Sequence, residues 1–269
     1  MKIISRFLQW IVDMQLVIAV GGGLYFLTGF TLLLGDFQFS LMRFMLISGG
    51  TWITYGTYRG IFNLTAKPVP TAIVYLSYVI TLIVFVPLFE VLFLLHLALL
   101  SFFYEPASFV KAKLFSLRKV PLLKLIILSY IWASLSSFYP AIVLDVNLLS
   151  RNVSNLFWIQ FCFILAITIP FDIRDFYLDI KDKLITMPRI FGSKNTKIVA
   201  TVFLGLFTIL IVNWKDSFYE ILVLVVISLL LIWRSHSRRS NLYYGFWLDS
   251  LLILYFAIVL VHYNYARLA

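Results

Sequence analysis

Apolar runs of about 20 residues, the length a helix needs to cross a ~30 Å hydrocarbon layer, alternate with short polar segments along most of the chain. The first covers residues 16–34 and carries Gly21, Gly22 and Gly23, which permit close helix packing or a local kink. A second, 39–57, ends in the polar segment TYGTYRGIFNLTAKPVP, where Pro68 and Pro70 stop a helix. Residues 71–104 are too long for one crossing, and Pro87 and Glu90 divide them into two spans with a tight turn between. Further runs at 121–140, 153–171, 196–213, 217–233 and 244–262 bring the expected total to nine. The pattern predicts an all-α, polytopic membrane bundle formed by one domain over residues 1–269.

Composition agrees with the pattern. The chain is 62% hydrophobic and 13% charged, with a mean hydropathy of +0.98. The long Leu, Ile, Val and Phe runs lack the period-2 alternation of a membrane β-barrel. A formal net charge of +10 fits basic loops facing anionic headgroups; no nucleic-acid signature accompanies it. With spans assigned as above, 18 of the 22 Lys and Arg lie on one side. This asymmetry puts the N-terminus in the cytoplasm and the C-terminus outside, as expected in a bacterial cytoplasmic membrane. The basic start is expected to be retained, because no small-residue cleavage site follows. Cys162 is alone in an apolar run, which excludes an intramolecular disulfide.

Charge chemistry concentrates in one stretch. Residues 172–192 read DIRDFYLDIKDKLITMPRIFG and hold four of the twelve acidic residues within eleven positions. On a helix, Asp172, Asp175, Asp179 and Asp182 fall within an arc of roughly 80°. Four like charges on one stripe call for a cation, and a divalent metal with oxygen ligands is one candidate. A solvated helix end is the other, since Arg174, Lys181 and Lys183 are interleaved.

This stretch resembles the second Asp-rich motif of the UbiA superfamily of intramembrane prenyltransferases. Asp172, Asp175 and Asp179 fall on the D-x-x-D-x-x-x-D positions, and Thr186, Pro188 and Gly192 on the Thr, Pro and Gly that follow. The segment from Tyr104 to Trp132 looks like the family's region before the fifth helix. The resemblance implies transfer of a prenyl group from an isoprenyl diphosphate to a hydrophobic, perhaps aromatic, acceptor within the lipid bilayer. It implies magnesium held by Asp172, Asp175 and Asp179, and diphosphate held by Lys181, Lys183, Arg118 and Lys124.

The family's first motif, N-D-x-x-D-x-x-x-D, is replaced. Aligned on Lys67 and Pro68, its positions read Tyr55, Gly56, Arg59 and Asn63, with no carboxylate. Arg59 is then expected either to meet the diphosphate directly or to pair with a second-motif aspartate and close the pocket, or else to anchor a headgroup. Asn63 is a weak oxygen ligand. The competing functions are a catalytically inactive lipid-binding or scaffolding protein and an ion-coupled transporter. Elsewhere, His96 is expected to hydrogen-bond between helices, Glu90 to be solvated at its turn, Asp249 to support the cavity or, more simply, to sit at the interface, and Arg234, Arg238 and Arg239 to fix topology. Asp145 and Asp216 are assigned no role.

Overall fold

The computed structural model describes residues 2–63, 66–104, 120, 122–181, 184–215 and 218–266. Among them the chain is entirely helical: α1 (Lys2–Asp13), α2 (Leu16–Leu34), α3 (Leu41–Tyr58), α4 (Pro68–Phe85), α5 (Leu88–Tyr104), α6 (Leu123–Ser136), α7 (Phe138–Val143), α8 (Arg151–Lys181), α9 (Met187–Trp214), α10 (Ile221–Arg234) and α11 (Ser250–Ala266), the last entered through a π-helical turn, Tyr243–Leu248. Arg118, Asp182, Lys183 and Asp216 lie outside the described residues.

Six helical segments are long and apolar enough to cross a membrane: α2, α4, α6 with α7, α8, α9, and the π turn with α11. The apolar helices α5 and α10 are shorter, and α3 has 18 residues of lower hydrophobicity. The protein is therefore an all-helical membrane bundle, while nine crossings require α3, α5 and α10 to be counted with the six.

Local signals end the helices where steric rules require. Gly35 closes α2 in the left-handed region (φ 75°), and its N–H bonds the Thr31 carbonyl. Pro68 opens α4 at the first turn, where its missing N–H costs nothing. The α4–α5 break falls at Val86 and Pro87, as the sequence indicates.

α2 and α8 are the most enclosed helices, and only 6% of α4 is buried. The glycines of α2 make its close contacts. A Cβ at Gly29 would land on the Ser136 carbonyl, and one at Gly23 on the Ser48 hydroxyl. The core around α8 is aromatic, with Tyr25, Phe163, Phe207 and Tyr255 fully buried.

The end of the bundle away from the aspartates corrects one expectation. Glu90 is not solvated but 5% exposed. Arg43 of α3 donates to its Oε1 at 3.2 Å, and the Tyr139 hydroxyl of α7 donates to its Oε2 at 2.9 Å. A carboxylate buried in apolar surroundings needs such partners, so Glu90 ties three helices together. His96 does bond across helices, to Tyr130 of α6 at 3.2 Å.

Candidate functional site: a charged cluster at one end of the bundle

The Asp stripe is helical. α8 continues without a break for 31 residues, through Pro170 and out to Lys181, so Asp172, Asp175 and Asp179 keep the shared face that their spacing predicts. Asp172 is 2% exposed and Asp179 is 1% exposed. Leu184 then donates its N–H to the Asp179 carbonyl at 2.8 Å. Beyond it, Thr186 stands at the N-cap position of α9, and Gly192 (φ 76°) interrupts that helix in a conformation natural only for glycine. The Thr, Pro and Gly after the stripe thus shape the turn that returns the chain into α9.

Lys124, the second residue of α6, faces the stripe. Its Nζ donates to Asp172 Oδ1 at 2.5 Å and lies 3.9 Å from Asp179 Oδ2. The residue is 8% exposed, so its charge is enclosed with those of the two aspartates. Leu122, two positions earlier, holds the left-handed region (φ 62°), a strain of roughly 1 kcal/mol for a non-glycine residue that sets the entry angle of α6. Asp175 is held on its own helix: Arg174 donates Nε to Oδ1 at 2.7 Å and Nη2 to Oδ2 at 3.0 Å. Such a bidentate pair is the strong geometry for these groups.

The Arg174 guanidinium also lies over the rings of Phe171, at 4.9 Å, and Tyr244, at 5.5 Å. It acts electrostatically on Asp249 at the start of α11, as does Arg59 at the end of α3. Tyr55, one turn before Arg59, is in the field of Asp249 and Arg174, and its ring lies 6.4 Å from that of Trp132. Lys124 of α6 and Arg174 of α8 thus pair with the stripe, while Asp249, just before α11, lies in the electrostatic field of Arg174 and of Arg59 at the end of α3.

Other expected site residues lie apart or are engaged locally. Arg59 is exposed and caps α3; the acid in its field is Asp249. The Asn63 side chain accepts the Ala66 N–H at 3.2 Å, a local turn bond. Lys181 is exposed in the last turn of α8. Gly56 has a steric explanation: after Gly60 (φ 72°) the chain folds back, Phe62 donates its N–H to the Gly56 carbonyl, and a Cβ at Gly56 would strike the Phe62 ring. A side chain at this position has no room.

The sequence offers Asp249 as a support for the cavity, since a charged residue inside a span usually faces the bundle interior; it does not mark Arg174 as the partner of Asp175, which is its neighbour on the same helix.

A lateral groove of about 440 Å³ runs between α3 and α4, lined by Met42, Met45, Trp52, Ile53, Tyr78 and Phe85 among others. None of the stripe residues lines it.

A solved structure of a digeranylgeranylglyceryl phosphate synthase in membranes superposes on 94% of this chain and 96% of its own, with a TM-score of 0.51 and 17% sequence identity. The chain shares the fold of that membrane synthase. No protein-family model and no curated protein matches the chain, so the likeness is one of architecture.

Magnesium is the ion the resemblance implies. Among the described residues, no group of three or more His, Cys, Asp or Glu side chains is arranged to hold a metal ion. Lys124 holds Asp172, and Arg174 holds both oxygens of Asp175. The first motif offers a guanidinium at Arg59 and no side chain at Gly56. An octahedral ion needs several free oxygen ligands, and this arrangement of side chains does not fit one.

Proposed function

We propose that this protein is a UbiA-type membrane prenyltransferase, transferring a prenyl group from an isoprenyl diphosphate to a hydrophobic acceptor. The reading rests on one observation above the others: in a bundle of this fold, Lys124 and Arg174 pair with the aspartate stripe, and Arg59 lies in the field of Asp249. A diphosphate carries oxygen acceptors that guanidinium and ammonium groups satisfy with charge-assisted hydrogen bonds. Charge builds on the diphosphate as the allylic C–O bond ionises, and these cations stabilise it as it leaves. The acceptor nucleophile then bonds to the allylic carbon and gives up its proton. Tyr55 and Trp132 present π faces near the cluster, suited to a carbocation.

On this reading all nine helical rods cross the membrane, and the basic loops put the cluster on the cytoplasmic side. The lateral groove between α3 and α4 supports a hydrocarbon-bearing substrate drawn from the bilayer. Arg118 and Lys183 are proposed to contribute further positive charge, with Lys181 at the rim.

The full-length protein in lipid nanodiscs, incubated with geranylgeranyl diphosphate and membrane lipid extract, should release pyrophosphate and form a prenylated lipid detectable by mass spectrometry. Replacing Lys124 with Met should sharply reduce turnover. If the wild type binds a thio-linked prenyl diphosphate but never turns over substrate, the alternative holds: a catalytically inactive lipid-binding or scaffolding member. The ion pairs that occupy Asp172 and Asp175 are the observation that favours that alternative.

A further inference from the structure

We infer that Lys124 takes the place of a divalent cation at the Asp172 and Asp179 pair, and Arg174 does so at Asp175, so that the site receives a prenyl diphosphate without a bound metal ion. This inference rests on the prenyl diphosphate reading above.

Asp172 and Asp179 are separated by two helical turns, about 10 Å along the axis. Lys124 Nζ nevertheless contacts the first at 2.5 Å and approaches the second to 3.9 Å. A single cationic atom placed against two carboxylates is the role a metal would have. An ammonium has three N–H donors; one is given to Asp172 and the Asp179 contact at 3.9 Å is electrostatic, so donors remain for a phosphate oxygen. Arg174 closes both oxygens of Asp175 and keeps its guanidinium in the fields of Asp249 and Tyr244.

The altered first motif is consistent with the same exchange. Where acidic positions would bring a second metal, α3 supplies the fixed positive charge of Arg59 and a glycine that the Phe62 ring covers. A carboxylate for that new cation is found on α11, at Asp249. Charges of both signs have thus been redistributed among helices, so that positive charge for the diphosphate resides on side chains. Placing a divalent ion among Lys124, Arg174 and Arg59 would set like charges together, which is unfavourable.

The test uses the full-length protein in nanodiscs and a nonreactive probe, thio-linked geranylgeranyl diphosphate, titrated by calorimetry in EDTA and in excess magnesium. Wild type should bind with the same Kd in both. Lys124→Met should weaken binding in EDTA by about tenfold or more, the loss of a charge-assisted contact, and magnesium should restore it through the freed aspartates. Lys124→Arg, which keeps the charge if the methionine variant fails to fold, should remain indifferent to EDTA. Wild-type binding that disappears in EDTA would overturn the inference and leave the prenyl diphosphate reading intact. Equal binding by wild type and Lys124→Met in EDTA would also overturn it. Absence of binding under both conditions would remove the prenyl diphosphate reading and this inference together.

Discussion

Lys124 Nζ lies 2.5 Å from Asp172 Oδ1, and both residues are buried, 48 positions apart in sequence and on different helices. Removing one partner of a buried pair leaves the other charge without compensation, which is strongly destabilising. Asp172→Asn should therefore lower stability by about 3 kcal/mol, read from unfolding in detergent. The Lys124→Met/Asp172→Asn double variant should lose less than the sum of the single variants, because the two residues act as one unit.

The Glu90 network belongs to the opposite end of the bundle and should separate stability from binding. Glu90→Ala leaves Arg43 and the Tyr139 hydroxyl without their acceptor, at a cost of about 3 kcal/mol. The Kd for a thio-linked prenyl diphosphate should be unchanged in the fraction that stays folded. A lost affinity equal to that of a stripe variant would contradict a purely structural role.

Arg59 and Asp249 predict opposite effects on an anionic ligand. Arg59→Ala should weaken diphosphate binding, and Asp249→Asn should tighten it by about fivefold, near 1 kcal/mol, by releasing two guanidiniums from a competing carboxylate. Both effects should shrink at high salt in proportion to the exposure of the groups. An interfacial role for Asp249 alone would leave the Kd unmoved, so titration of the two variants at two ionic strengths decides the matter.

Gly56 offers a steric prediction. Gly56→Ala sets a methyl against the Phe62 ring and should cost about 2 kcal/mol, the usual penalty of overpacking. Adding Phe62→Ala should recover part of that loss in a thermal unfolding assay. Restoring carboxylates at Gly56, Arg59 and Asn63 therefore requires the Phe62 change as well.

Much of the fold is legible without coordinates. Hydropathy alone locates the long apolar helices, six of them able to cross a membrane, and the prolines at 68 and 87 mark where helices begin, because a chain in hydrocarbon must satisfy its backbone within each segment. The spacing of Asp172, Asp175 and Asp179 is enough to put them on one helical face. The glycines of α2 announce close packing, though which carbonyl or hydroxyl they approach is a property of the neighbouring helices.

Partners are what the linear pattern omits. Glu90 at a tight turn reads as a solvated acid, yet Arg43 and Tyr139 arrive from two other helices and enclose it. Arg174 reads as one of several interleaved basic residues, yet it closes both oxygens of Asp175 and lies over the Tyr244 ring of a distant segment.

By itself, then, the sequence determined a helical membrane bundle and an aspartate stripe, since each follows from local periodicity and composition. Only tertiary structure decided what the stripe faces. The energy of a buried charge depends on the nearest opposite charge in space, and for Asp172 that charge is Lys124, delivered by the packing of α6 on α8.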